Sequence, residues 1–276
     1  MHAGVRSPLL VTAVLGLTAV GCTATATRAP GARPPTATSA TPTATATPTP
    51  APTSAVDKDS YQVGTCLDIT REIEEVRCDQ PHTHEVMLAQ RQEQKRKPSR
   101  RLMDRACWGV LPRYLSTTEE AASRLEPALL GPWKGDDGKW RFACLATERG
   151  SDGEPVRRMR KLAGALSRGL GPYRRCLTGE PLADGPQNVV PCGESHRSEA
   201  IGVLPIKDFP AARDGLWKVA SRAGEQCEAM AESYLGGKRR GVRSSGIVPL
   251  REQWLGGQKT GTCYVVSKTP VQGVMR

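Results

Sequence analysis

Eight cysteines constrain this chain more than any other feature of its sequence. With Cys22 set aside, they are Cys66, Cys78, Cys107 and Cys144, then Cys176, Cys192, Cys227 and Cys263. The second-to-third interval is 29 residues in the first set and 35 in the second, and the third-to-fourth interval is 37 and 36. The residues between them agree as well. Cys78-x3-His82-x2-Glu85 is echoed by Cys192-x3-His196-x2-Glu199, and Cys107-x6-Tyr114-Leu115 by Cys227-x6-Tyr234-Leu235. Pro127, Trp133 and Gly138 before Cys144 are echoed by Pro249, Trp254 and Gly257 before Cys263. The chain therefore contains one module twice.

An even cysteine count in an exported chain reads as a disulfide framework, with roughly a hundred formal connectivities. A reactive thiol would leave an odd cysteine, and none is left over. The first two cysteines of each set bracket a short polar stretch between strand-like ends, as a hairpin does. The third lies in a helical pattern and the fourth in a strand-like one. Local pairing is thus expected: Cys66 with Cys78, Cys107 with Cys144, Cys176 with Cys192, and Cys227 with Cys263. The staples matter because only twelve residues are aromatic, which predicts two thin cores.

The start of the chain predicts export. His2 and Arg6 precede the uncharged run Leu9 to Val20, too short for a spanning helix of roughly 20 residues and suited to a signal-peptide core. It ends in Ala19-Val20-Gly21-Cys22, which resembles the lipobox of bacterial lipoproteins, so residues 1–21 read as signal peptide and Cys22 as the acylated first residue. Acyl chains on one cysteine would give stable membrane attachment. Residues 23–56 contain 30 Ala, Thr, Ser or Pro in 34 positions and no aromatic, so residues 22–56 read as a disordered tether. The remaining 220 residues exceed the roughly 100–150 of one domain. They divide into modules at 57–168 and 169–276.

Apolar runs at Val86–Gln90 and Ala200–Ile206 suit buried strands. Leu216, Val219, Ala220, Ala223, Cys227, Met230 and Tyr234 recur at helical spacing. The stretch 99–115 has the same character, with Pro112 expected to end or kink that helix early. The fold class is α+β: two tandem disulfide-stapled modules, each a small antiparallel sheet packed on one main helix, after the tether.

The ordered set Gly64-Thr65-Cys66-Leu67, Cys78-x2-Pro81-His82-x2-Glu85-Val86, the helix cysteine, then Pro127, Trp133, Gly138 and Cys144 resembles the Septum formation domain family. These are exported modules of actinobacterial membrane proteins and lipoproteins. The second copy departs at Arg175, Ser195 and Ala200. Twenty-eight Arg against 11 Lys, with a single Asn, agree with a GC-rich host. The resemblance implies envelope or division work outside the cytoplasm and carries over no catalytic residue.

"CDQPHTHEV" (residues 78–86) holds candidate chemistry. Cys78, His82 and His84 could supply three ligands of a zinc site, which needs about four. The second copy replaces His84 with Ser198, and an exported Cys78 is expected to be oxidised. His82 and Glu85 would form an acid/base pair on a helical turn, but would point apart along a strand. Because strand begins near Val86, His82, Glu85, His196 and Glu199 read as architecture, with each histidine bonding in the turn that feeds the strand. No metal, cofactor or catalytic residue is expected. The sequence lacks G-x-S-x-G, H-E-x-x-H and Gly-rich phosphate loops.

Charge adds one more expectation. Three of the 39 basic residues precede residue 57, leaving 36 against 28 acidic ones, a balance of +8. It concentrates in residues 91–105 and 157–175, the latter without an acid. Such runs attract polyanions. Anionic lipid or wall polymer are the expected partners, alongside an envelope or division protein, and not nucleic acid. The reading is a lipid-anchored, non-enzymatic binding or scaffolding module on the outer face of the membrane. An enzyme acting on cell-wall polymers and a passive spacer are the alternatives.

Overall fold

The computed structural model describes residues 61–92, 96–182, 188–209 and 213–276. Cys22, the export signal and the tether lie outside them. The strands are β1 (Cys66–Asp68), β2 (Glu74–Val76), β3 (His84–Gln92), β4 (Leu125–Lys134) and β5 (Trp140–Glu148) in the first half. The second half holds β6 (Cys176–Leu177), β7 (Val189–Val190), β8 (His196–Pro205), β9 (Val242–Ile247) and β10 (Thr260–Val271). Helices α1 (Arg100–Leu115), α2 (Arg213–Leu235) and the short α3 (Arg251–Leu255) complete the set. Two five-stranded sheets result, ordered β2-β1-β3-β5-β4 and β7-β6-β8-β10-β9, with every pairing antiparallel. The orders are the same, so the fold is α+β and duplicated, as the cysteine spacing implies.

Each helix presents one buried stripe at four-residue steps: Met103, Cys107, Leu111 and Leu115 on α1, and Ala223, Cys227, Ala231 and Leu235 on α2. Ser99 caps α1, its side chain accepting from the Leu102 N–H. Pro112 does not end the helix early, contrary to expectation, and α1 runs on to Leu115. It sits in the last turn, so its missing N–H forfeits a single intrahelical bond, and its carbonyl still accepts from Thr117 N–H at 2.9 Å. Ser116, at φ 57°, then closes the helix in the left-handed conformation.

The bridges are Cys66–Cys78, Cys107–Cys144, Cys176–Cys192 and Cys227–Cys263. In each half, one closes the β1–β2 or β6–β7 edge and the other ties the helix to the interior strand β5 or β10. Because strand side chains alternate, β5 feeds two layers: Phe142, Cys144 and Ala146 face α1, while Ala143 and Leu145 join Tyr61, Leu67 and Val86 behind the sheet.

Two separate thin cores were expected, but the main core is shared. It combines α1 and the α1-facing side of the first sheet with Leu162, Leu166 and Leu170 of the connecting segment. It adds Leu177, Val189, Ala200, Tyr264 and Val266 from the second sheet. Cys263 and Val265 instead join clusters containing Cys227 and Leu235 of α2. The back of the second sheet thus covers the helix side of the first, an asymmetric packing of two like modules. With few aromatic side chains available, sharing one core lets both halves bury leucines that neither could enclose alone.

The duplication is positional in some places and not in others. Cys66 pairs with Glu85 across the ladder as Cys176 does with Glu199. Cys144 lies opposite Leu129 and Cys263 opposite Gly246. Pro127 and Trp133 therefore belong to β4, whereas Pro249 and Trp254 fall after β9, with Trp254 on α3. These two sequence echoes do not occupy equivalent places.

Candidate functional site

Both copies of the Cys/His/Glu motif build a closed polar centre. In the first, His82 and Glu85 have side chains with no exposure at all. The Gln80 carbonyl accepts from His82 Nδ1 at 2.8 Å, which is the turn bond anticipated for this histidine. His82 Nε2 lies 3.3 Å from Glu85 Oε1. Glu85 also accepts from the Leu162 backbone N–H at 2.5 Å and from the Tyr114 hydroxyl at 2.7 Å. One carboxylate thus gathers a turn, the end of α1 and the connecting segment.

The expectation that strand geometry would point His82 and Glu85 apart is not met. Strand β3 begins only at His84, and His82 instead forms an isolated antiparallel bridge with Arg158, their N–H and C=O groups exchanging bonds of 2.8 Å in each direction. The regular alternation that would separate the pair starts too late to apply. In the second copy β8 begins at His196 itself, paired with Val271, and His196 and Glu199 still offer atoms within 4.8 Å of one another.

The second centre is similar with different occupants. The Glu194 carbonyl accepts from His196 Nδ1 at 2.8 Å, but His196 Nε2 has no partner among the described residues. Glu199 accepts from the Tyr234 hydroxyl, from Met275 N–H at 2.7 Å, and pairs with Arg174 at 3.3 Å. Burial, then the hydrogen bond to Glu199, pushes the Tyr234 phenol up to about 12. Burial likewise raises Tyr114, reinforced by the Glu85 charge. Neither tyrosine is arranged to give up its proton.

Neither centre offers a thiolate to a metal. The sulfur nearest the first pair is Cys66, not Cys78: Cys66, His82 and Glu85 offer atoms within 4.8 Å of one another, as do Cys176, His196 and Glu199. Both cysteines are bridged, leaving two ligands per centre, short of the roughly four of a structural zinc site. His84 bonds to Thr83 Oγ1 at 2.8 Å instead of joining the cluster. Burial, aided by the Arg158 charge and opposed by Asp68, holds its imidazole down at about 4.

The basic runs divide. In residues 157–175, Arg157 pairs with Asp68 at 2.5 Å, and Arg158 is buried, with Nη2 donating to Thr83 O at 3.1 Å. Arg174 holds Glu199, and Arg175 Nε donates to Ser123 O at 2.9 Å. Arg158, Arg174 and Arg175 thus turn inward, while Arg157, Arg160, Lys161 and Arg168 stay exposed. The first run behaves as expected of a solvated face, since Arg96, Lys97, Arg100, Arg101 and Arg105 are all exposed. Tyr114, Tyr234, Arg158 and Arg174 had no role assigned from sequence. The matched Cys-x6-Tyr spacing was a signal for the tyrosines, whereas nothing marked the arginines.

Among the described residues, no helix is long and apolar enough to cross a membrane. A family model described as Septum formation matches residues 88–263, from within β3 to within β10. Neither the curated proteins nor the solved structures yield a match.

Proposed function

Since the chain belongs to the Septum formation family, we propose that it is a lipid-anchored, non-enzymatic binding module of the cell envelope. Its acylated residue is Cys22, its tether is residues 22–56, and its place of work is the outer face of the membrane, where the division septum is built. One observation carries the reading. The residues repeated in both copies, His82, Glu85, His196 and Glu199, are all buried and engaged with backbone or neighbouring side chains. A substrate has no path to them, so they serve the fold, and recognition falls to the outer surface. Four bridges suit an oxidising compartment. The exposed cations of residues 96–105 suit an anionic envelope component or an envelope protein with an acidic face.

Membrane fractionation of wild type and Cys22→Ser, followed by crosslinking in living cells from positions around Arg101, tests this. The expected outcome is release or precursor accumulation in the variant, and one recurrent crosslinked neighbour in wild type. Activity of the purified chain in a cell-wall zymogram would replace the reading with an enzymatic one. Unchanged fractionation together with an absence of crosslinks would leave only a spacer.

A further inference from the structure

Where the two halves meet, the surface opens into a cleft of about 320 Å³. That volume is at the lower end of the roughly 300–1,000 Å³ of small-ligand sites, enough for one or two sugar rings. Its walls come from both halves: Trp108 of α1 and Arg124 and Glu126 on one side, Gln253, Gln258, Thr260 and Thr262 on the other, with Arg175 beside them. The seam beneath is fastened. Thr262 Oγ1 donates to Ala121 O at 3.1 Å, Arg175 N–H to Ala122 O at 2.9 Å, and Arg105 Nη2 to Leu255 O at 3.3 Å. Gly257 presses so close to α1 that a Cβ there would stand 3.0 Å from Trp108 Cβ. The cleft is held open by contacts formed without a ligand, as a preorganised site must be.

Its charges do not cancel. Arg124 pairs with Glu148 at 2.7 Å, and Arg149 pairs with Glu126. Among the described residues Arg175 uses only Nε, and its two terminal nitrogens have no partner there. Around it stand polar groups with unused capacity. Among the described residues Thr260 Oγ1 has no partner, Gln258 makes no side-chain hydrogen bond, and Gln253 uses only its amide oxygen, accepting from Leu250 N–H. On α1, Arg101 and Arg105 precede the lining Trp108 at steps of four and three along one helix face. Lys259, next to Gln258, is close enough to Arg105 and Arg101 that their charges depress it, after desolvation. One unpaired cation inside, further cations on the neighbouring helix face, hydroxyl and amide groups and an indole together match one ligand chemistry.

We propose that this inter-module cleft binds an acidic glycan, a polyhydroxylated ligand carrying carboxylate or phosphate, with Arg175 receiving the anion. Gln253, Gln258 and Thr260 receive hydroxyls, and Trp108 lies under a sugar ring. A membrane surface fits less well: the site is concave and polar, and a flat headgroup plane cannot reach Arg175. The ligand chemistry rests on the cleft alone. Only the expectation that such a glycan belongs to the cell envelope rests on the proposed function.

Calorimetric titration of the full chain in detergent tests this with three soluble probes: oligogalacturonate, its methyl ester, and a glycerol-phosphate oligomer. Vesicles containing anionic lipid form a fourth arm. Losing a charge-assisted contact should weaken binding about tenfold or more. The expected result is that loss on esterification and again in Arg175→Gln, with a smaller loss in Gln258→Ala, in proteins that melt as wild type does. Preference for the glycerol-phosphate probe keeps the site and assigns the anion to phosphate. Should Arg175→Gln not fold, an unweakened Gln258→Ala overturns the proposal. So does equal affinity for acid and ester, or binding to vesicles without binding to any glycan probe. None of these results depends on whether Cys22 is acylated.

Discussion

Replacing Glu85 with alanine removes the acceptor for the Leu162 backbone N–H and the Tyr114 hydroxyl together, and the neighbour of His82 Nε2. A buried polar group left without its partner costs about 1–3 kcal/mol. Tyr114 is half-buried and can be rescued by water, whereas Leu162 is fully enclosed and cannot. A loss of roughly 3–4 kcal/mol is therefore expected, a large part of the ~5–15 kcal/mol total stability of a domain. Glu85→Gln keeps a carbonyl for Leu162 and lets the Tyr114 hydroxyl rotate to accept, so about 1 kcal/mol is expected. Glu199→Ala supplies an internal comparison. It frees Met275 N–H, which lies beyond β10 and is less completely enclosed than Leu162. That loss should be about 1–2 kcal/mol, even though the Arg174 pair goes too. Urea unfolding measures all three, and amide exchange at Leu162 and Met275 locates the effect. If Glu85→Ala matched wild type within about 1 kcal/mol, or Glu85→Gln proved the worse of the two, the carboxylate would not be the latch argued for here.

Other expectations follow from the same structure. His84 stays neutral when folded, with its value held at about 4 against an unfolded value of 6.5, so the unfolded chain binds the extra proton between them. Stability should therefore fall as pH drops through that window, by roughly 3 kcal/mol at most, and His84→Gln should flatten that part of a pH-dependent urea series. Burial raises Glu120, opposed by a backbone hydrogen bond, and its Oε2 has no partner among the described residues. Its ionisation therefore penalises the folded state above the ordinary carboxylate range, so Glu120→Gln should melt higher than wild type at pH 7, with the difference shrinking as pH falls. Gly257→Ala puts a Cβ 3.2 Å from Arg105 Cα at φ +110°, while Gly138→Ala meets nothing closer than 3.9 Å at φ +74°. Thermal melts should show the first clearly more damaging, with about 1 kcal/mol for the second from backbone strain alone.

The cysteines made the architecture legible because their spacing reports two things at once: the span of a hairpin and the distance from helix to terminal strand. The helices were legible from stripes such as Ala223, Cys227 and Met230, whose period survives any tertiary context. The polar centres were only half legible. His82 and His196 read as turn residues, but what Glu85 and Glu199 hold is a backbone N–H at Leu162 and Met275, and an amide leaves no trace in the identity of its residue. The shared core was hidden for a related reason. Leu162, Leu166 and Leu170 stand in a stretch whose arginines suggest a solvated connector, yet Arg158 and Arg174 are drawn inward with them. Composition cannot tell a charge facing water from one facing a buried carboxylate.

The bridges also have an order along the chain: each joins a cysteine to the next one, and no loop encloses or crosses another. For a polypeptide threaded outward N-terminus first, every native pair is complete before the next cysteine emerges. With Cys22 blocked by the proposed acylation, an indiscriminate oxidant that links each thiol to its nearest predecessor would make all four bonds correctly. Nothing would need to be reshuffled afterwards, and the chain could mature where no isomerase is at hand.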